Sequence, residues 1–249
     1  MPMTAVLVFV CLVVAVLLGR ALSGRLSEHH LTVETRDTIK LSLGLVATMS
    51  ALLLGLLVSS AKGAYDSQHR QIDEMAAKIA TLDRVLALYG AESGTARREL
   101  RDTVENAIAR AWPRQAGTNS DLTADFHSGD AIYRTVQQLT PSDATQGELK
   151  AKAADLTLEL AESRALLVSR ALQGVSTPLL AIVVAWLVLI LFGFSVLAPR
   201  NLAATVALTV AAAAVSGAIL LMLEFYEPFD GLIRISSDPM VAAISRVPN

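Results

Sequence analysis

Four stretches of the chain consist almost entirely of apolar residues, and together they contain only one charged side chain. About 20 helical residues cross the ~30 Å hydrocarbon core of a bilayer, and each stretch is long enough to do so. The stretches form two pairs with a polar region between them. The sequence therefore predicts four transmembrane helices in two hairpins, over residues 4–22, 41–60, 179–198 and 202–223.

The first stretch does not have the pattern of a secretory signal peptide. No basic residue precedes it, and no small-x-small cleavage site follows it. Its charged residue, Arg20, lies close to the end of the stretch, where a long side chain can reach the polar interface. We therefore interpret the stretch as a membrane helix.

Beyond the second stretch the apolar residues recur at intervals of three and four, which is typical of an amphipathic helix. Residues 64–89 contain neither proline nor glycine, so we expect the second membrane helix to continue as a stalk. At 1.5 Å per residue this stalk would be about 40 Å long and would end near Gly90. Its apolar stripe consists of Ile72, Met75, Ile79, Leu82, Leu86 and Tyr89.

A second long amphipathic helix spans the region between Leu149 and Ala171, and Gly174 with Pro178 marks its joint to the third membrane helix. The segment 140–143 is expected to start this helix, with Pro141 in the first turn. Two shorter helices precede it, one ending at residues 112–113 and one around Val136, with a loop over residues 115–129.

The two long helices should pack antiparallel and bury their stripes against each other. We interpret the stripes as core within one chain, and a seam between subunits is the alternative. The sequence thus predicts an all-α protein whose stalk helices are continuous with membrane helices 2 and 3. Its parts are a first transmembrane hairpin at 1–61, an extramembrane helical domain at 62–175, a second hairpin at 176–223 and a tail at 224–249.

Charge is concentrated in the helical domain. Of the 249 residues 53% are hydrophobic, and the 21 basic and 23 acidic residues give a formal net charge of −2. Residues 62–170 hold 14 of the basic and 16 of the acidic residues, evenly mixed. Nucleic-acid binding requires a concentrated basic surface, which this balance excludes.

Motifs for catalysis and cofactor binding are missing from the sequence. The four histidines form no His-Glu-x-x-His pattern, and neither a Gly-x-Ser-x-Gly nor a phosphate-binding loop motif is present. The lone Cys11 cannot form a disulfide within the chain. A metal site at Glu28, His29 and His30 is less favoured than a solvated charged loop. We expect neither an enzyme nor a cofactor.

Small residues recur along one face of the second membrane helix and along one face of the fourth. Such faces usually allow helix backbones to approach closely, and we expect that role for the fourth helix. For the second helix the alternative is a pore lining with Lys40 and Lys62 at its mouths, where basic charge would favour anions. The residues are Gly44, Thr48, Ala51, Gly55 and Ser59 in the second helix, and Ala203, Ala207, Ala211, Ala214 and Ala218 in the fourth.

Five motifs carry a resemblance that covers nearly the whole chain: residues 43–49, 55–62, 82–87, 198–201 and, most specifically, 227–237. They resemble the bacterial bestrophin-like membrane protein family. The resemblance implies a homopentamer with a central anion pore, lined by the second membrane helix and continued through the helical domain.

The chain departs from true bestrophins in two places. Their pore neck is lined by bulky apolar residues that include phenylalanines, whereas the second membrane helix here has no aromatic residue. Their acidic calcium clasp has no clear counterpart, although Glu227, Asp230 and Asp238 lie in the tail. The tail begins with a strong turn signal at 227–231, and we expect it to pack on the helical domain or on the bilayer surface.

The distribution of basic residues predicts the orientation in the membrane. Two short loops, at 23–40 and 199–201, hold most of the Lys and Arg residues near the membrane helices. The positive-inside rule places them in the cytoplasm and the helical domain outside, whereas the resemblance implies the reverse. We follow the charge rule.

The sequence therefore predicts a multi-pass protein of the bacterial inner membrane that forms an oligomeric ion channel selective for anions. The expected partners are the lipid bilayer, further copies of the chain and small ions. The alternative is a non-conducting sensor or scaffold that acts through the stalk domain.

Overall fold

In the computed structural model, which describes residues 2–24, 32–113, 120, 128–171 and 176–245, all regular secondary structure is helical. Residues 232–235, the one segment with a strand-like alternation, form no strand. The helices are α1 (Pro2–Ser23), α2 (Val33–Tyr89), α3 (Gly94–Ala111), α4 (Ser128–Gln137), α5 (Ala144–Ala171), α6 (Thr177–Leu197), α7 (Leu202–Phe225) and α8 (Asp238–Ile244).

The four predicted membrane helices are confirmed as α1, the first part of α2, α6 and α7. Each is long and apolar enough to cross a bilayer. Helix α2 is longer than expected at its start, because it begins at Val33, before the apolar residues. It continues without interruption for 57 residues and ends at Gly90, whose φ of 120° favours glycine. The stalk predicted from the spacing is therefore confirmed.

The second joint differs from the prediction of a continuous helix. Helix α5 ends at Ala171, and α6 begins anew at Thr177 after Ser176, which has an extended conformation. Pro178 explains the new start, since its ring is tolerated in the first turn of a helix but not in the interior. Gly174 lies outside the described residues.

The start of α5 also corrects an expectation. Pro141 lies before the helix, and Asp143 provides the cap: its carboxylate accepts a hydrogen bond of 2.7 Å from the Gln146 backbone N–H. The Gln146 side chain in turn accepts a bond of 2.8 Å from the backbone N–H of Ser142. Together the two side chains satisfy two backbone N–H groups at the helix start, those of Gln146 and Ser142.

The chain divides into two compact units. The membrane unit comprises Met1–Ala64 and Gly174–Tyr226, and the helical unit comprises Tyr65–Gln173 and Glu227–Asn249. In the membrane unit α1 packs against both α6 and α7. The predicted short turn between α6 and α7 is confirmed, with Asn201 capping α7 through a 2.8 Å bond from the Ala204 N–H.

Arg20 fixes the end of α1 against this turn. Its guanidinium donates hydrogen bonds to the carbonyls of Pro199, at 2.7 Å, and Asn201, at 2.6 Å, and to the hydroxyl of Thr205. The charge thus has protein partners at the end of the second hairpin. Its position near a helix end was predictable, but these partners were not.

In the helical unit α2 and α5 are antiparallel, as expected. The Gln71 side chain donates to the Ser163 carbonyl at 2.6 Å, and Gln146, near the other end of α5, donates to the Tyr89 carbonyl at 3.0 Å. The six stripe residues of α2 are all buried in one core with side chains from α3, α4, α5 and the tail. The interpretation of the stripe as core within one chain therefore fits the structure.

A half-buried ion pair joins α3 to α2. Arg97 donates to both carboxylate oxygens of Asp83, at 2.7 and 3.1 Å. This two-point geometry is the strong form of an arginine–carboxylate contact. Asp83 lies within the 82–87 motif, and its contact with Arg97 accounts for an acidic residue between two buried leucines, Leu82 and Leu86.

We predict that Leu86→Ala lowers the free energy of unfolding by about 2–5 kcal/mol, since Leu86 is 0% exposed and its loss leaves a cavity. Leu88→Ala, on the same helix, is the matched control, because Leu88 is 58% exposed. We expect that control to change stability by at most about 0.5 kcal/mol. Denaturant unfolding followed by circular dichroism measures both, and equal effects would contradict the assignment of the core.

Candidate pore-lining face

The small-residue face of α2 is not the face that packs within the chain. Thr48, Ala51, Gly55 and Ser59 are exposed, and Gly44 is half-buried. A Cβ atom placed on Gly44 or Gly55 would meet no neighbouring atom within 4 Å. Close helix packing inside one chain, the usual role of such a face, therefore does not explain these residues.

The buried residues of α2 in the membrane unit lie on a different side of the helix. These buried residues recur at intervals of seven and four along the helix. Viewed down the helix axis, they lie about a third of the circumference away from the small face. Leu43 packs directly against Gly193 of α6, since its side chain lies within 3 Å of the space that a Cβ on Gly193 would occupy. The buried residues are Leu43, Ser50, Leu57 and Ala61.

The hydroxyl of Thr48 faces out but is partly engaged by its own helix. It donates a hydrogen bond of 3.0 Å to the Gly44 carbonyl. A hydroxyl in this state offers lone pairs, and its proton is already committed. The small face is therefore narrow and uncharged, and the Thr48 hydroxyl does not offer an anion a free hydrogen-bond donor.

The alanine face of α7 is not the side of this helix that packs within the chain. Ala203, Ala207, Ala211 and Ala214 are exposed and Ala218 is half-buried. The packed side of α7 instead comprises Ala212, Ser216, Ile219, Met222 and Leu223. Small residues permit a close approach but do not specify which side of the helix a neighbour will occupy.

Close packing occurs instead at Gly19 of α1, a residue that the pattern of small residues does not single out. A Cβ at this position would lie 2.7 Å from the Phe192 carbonyl oxygen and 2.7 Å from the Ser195 Cβ. The Ser195 hydroxyl donates to the Val16 carbonyl at 2.6 Å and holds the two helices together. A glycine near the end of an apolar helix was the available signal.

The two expected mouth residues both have neighbours. Lys40 forms an exposed ion pair of 3.2 Å with Asp37, so the net charge at that end of the face is reduced. The Lys62 ammonium lies 5.9 Å from the centroid of the Phe225 ring, in the range of a cation–π contact. The Lys62 side chain therefore lies beside an aromatic ring of α7.

The tail packs on the helical unit, one of the two locations expected for it. Phe229 contacts Trp112 edge to face, with ring centroids 5.4 Å apart. The Trp112 indole donates to the Ile235 carbonyl at 2.8 Å, and Asp230 accepts bonds of 2.8 and 2.6 Å from the backbone and hydroxyl of Ser120. The 227–237 motif thus serves as the anchor of the tail.

Within the described ranges no group of three or more metal-binding side chains comes together. The candidate triplet Glu28, His29 and His30 lies outside those ranges. Of the acidic tail residues, Asp230 accepts hydrogen bonds at its carboxylate from Ser120.

Comparison with known proteins agrees with this architecture. The family model described as the bestrophin-like domain matches residues 10–240, which include most of α1, the whole of α2 to α7 and the start of α8. The chain belongs to the bestrophin-like family. It is a multi-pass membrane protein with the helical bundle of that family.

A solved structure supports the fold. The bestrophin-like chain is similar to a bacterial bestrophin homologue from Klebsiella pneumoniae, crystallised with one tryptophan replaced by alanine, with a TM-score of 0.68. The match covers 98% of this chain and 94% of the homologue at 14% sequence identity, so it shows the fold alone. No curated protein matches the sequence.

We predict that Gly19→Ala destabilises the fold by about 1–3 kcal/mol, because its new methyl group would overlap backbone that cannot move aside easily. Gly55→Ala is the matched control in α2. We expect it to be neutral or to stabilise by up to about 1 kcal/mol, since alanine favours helix and meets no neighbour. Thermal unfolding of both variants in detergent checks this. A larger loss for Gly55→Ala than for Gly19→Ala would contradict the packing described for α1.

Proposed function

We propose that this bestrophin-like protein is an oligomeric ion channel in which the small-residue face of α2 lines the pore. The observation that carries the proposal is the exposure of this face. The chain belongs to the bestrophin-like family, and the small residues of its second membrane helix are not covered by any other helix of the chain. The family resemblance favours a homopentamer, in which five copies of α2 would surround one axis.

The chemistry of the face is better suited to water than to lipid. Lipid tails and apolar side chains interact through dispersion, so a lipid-facing surface gains from large side chains. The neighbouring exposed side of α2 has such side chains, at Leu45, Met49, Leu52 and Leu56. The small face offers little contact area to lipid tails, and the hydroxyl groups of Thr48 and Ser59 can form hydrogen bonds with water.

Anions are the proposed permeant ions. Inside the face no side chain is charged, so selectivity would come from charge at its ends. The candidates for that charge are Lys62 at one end and Lys40, which forms an ion pair with Asp37, at the other.

We also propose a location in the bacterial inner membrane, with the two short basic loops in the cytoplasm and the helical unit outside, following the positive-inside rule. A scaffold that acts through the stalk stripe is less well supported. Its six apolar side chains are buried in the core of their own chain and offer no surface to a partner.

We predict that Gly55→Leu reduces chloride flux through reconstituted protein by roughly tenfold or more, because an isobutyl group from every subunit would narrow and dehydrate the pore. Flux is measured in liposomes against empty vesicles. Gly217→Leu is the control, since it adds the same side chain to α7 at a glycine that also has open space around its Cβ.

The control variant should assemble and conduct like the parent protein, and particle size by light scattering verifies assembly in both variants. Parent protein that gives no flux above empty vesicles would refute the channel function. Flux that survives Gly55→Leu in assembled protein would remove this face from the pore.

A further inference from the structure

The small face of α2 has a continuation further along the same helix. About 18 residues make five full turns of an α-helix, so a side chain that many positions further on lies in line with the first. Helix α2 is uninterrupted from Val33 to Tyr89, and the rule therefore applies along its length. In line with Gly44, Thr48, Ala51, Gly55 and Ser59 it places, in the same order, Lys62, Asp66, His69, Asp73 and Ala77.

This continuation is open, and most of its side chains are polar. Its third residue, a histidine, has carboxylates one turn away on both sides. The apolar stripe that is buried in the helical core lies on another side of α2. An ion that follows the small face past Ser59 therefore meets charged side chains. The exposed residues of the continuation are Lys62, His69, Asp73 and Ala77, and Asp66 is half-buried.

His69 has two neighbours, both on its own helix. Its Nε2 atom lies 3.8 Å from Oδ2 of Asp73, and the two side chains are 46% and 52% exposed, so protons reach the imidazole from water. Tyr65, one turn earlier, meets the imidazole edge to face, with ring centroids 6.2 Å apart. Within the parts of the chain that the structure describes, His69 forms no ion pair or ring contact with another helix. The charged groups nearest to it along this face are therefore Asp66 and Asp73.

We propose that His69 makes the ion selectivity of the channel depend on pH, an inference that rests on the proposed function of the small face. Histidine is the side chain that ordinarily changes its charge between pH 5 and 8. Protonation of His69 adds one positive charge per chain to a face that carries Asp66 and Asp73. In a homopentamer these charges form a ring around one axis, where they attract anions and repel cations. Acidic pH therefore increases the preference for anions.

The test is the ratio of chloride to potassium permeability, obtained from reversal potentials under a KCl gradient in planar bilayers. It is measured at about pH 7.5 and about pH 5.5, where histidine is ordinarily neutral and charged. For the parent protein we expect the ratio to rise by about threefold or more at the lower pH. The rise should become smaller at high salt concentration, because exposed charges are screened.

Two substitutions fix the charge at this position. His69→Gln stays neutral, and its ratio should match that of the parent at the higher pH under both conditions. His69→Arg stays charged, and its ratio should match that of the parent at the lower pH under both conditions. Since His69 is exposed, we expect both variants to fold. Circular dichroism and particle size verify folding and assembly.

The other three histidines provide the matched control. His29, His30 and His127 lie outside the described residues, and their combined replacement by glutamine should leave the response to pH intact. Asp73→Asn tests the face from the acidic side. It removes a negative charge next to His69, so it should raise the ratio already at the higher pH.

A response to pH that survives His69→Gln would overturn the inference, and so would a parent ratio that does not change with pH. In both cases the protein still conducts, so the channel function would stand. Loss of the response in the variant without the other three histidines would also overturn it. Absence of current in the parent protein would instead overturn the channel function, and this inference with it.

Discussion

The structure depends on the continuity of α2. Backbone N–H and C=O groups have no water to bind inside a bilayer, so a membrane-crossing segment must satisfy them within its own helix. The absence of proline allows α2 to do so for 57 residues, and the helix then continues as one wall of the helical core. In the membrane unit the buried side chains of α2 include Leu43 and Leu57, which lie on a different side of the helix from the exposed small face.

The membrane unit is assembled at a few points of close contact. Gly19 lets α1 approach the backbone of α6, and the Ser195 hydroxyl satisfies its hydrogen bond with the Val16 carbonyl in the same region. Arg20 then closes the end of the hairpin by binding the carbonyls of the α6–α7 turn. A charge that would be costly in lipid is tolerated here because it has several acceptors.

Hydropathy and spacing were sufficient to predict the helices, because bilayer thickness and the 3.6-residue period act on each segment locally. The spacing of the apolar residues from Ile72 to Tyr89 likewise predicted the stripe of the stalk and its burial. Helix packing was less predictable: the alanines of α7 are exposed, while Gly19 makes the closest approach. Which side of a small-residue helix is covered depends on the neighbouring helix, and the sequence of one segment does not contain that information. The ion pair of Lys40 with Asp37 was missed because α2 begins at Val33, earlier than its apolar residues indicate, and this places the two side chains three residues apart on one helix.

The orientation of the small face of α2 towards a water-filled axis is the central claim, and cysteine accessibility tests it most directly. On a Cys11→Ser background, Gly55→Cys and Leu52→Cys place a thiol on the small face and on the neighbouring large apolar side. A charged, membrane-impermeant thiosulfonate reagent is added to each protein in liposomes, and both the extent of modification and the chloride flux are measured. If the small face lines the pore, modification at position 55 is rapid and abolishes the flux, whereas modification at position 52 is slow and leaves the flux unchanged. Rapid modification at position 52 and none at position 55 would contradict this claim.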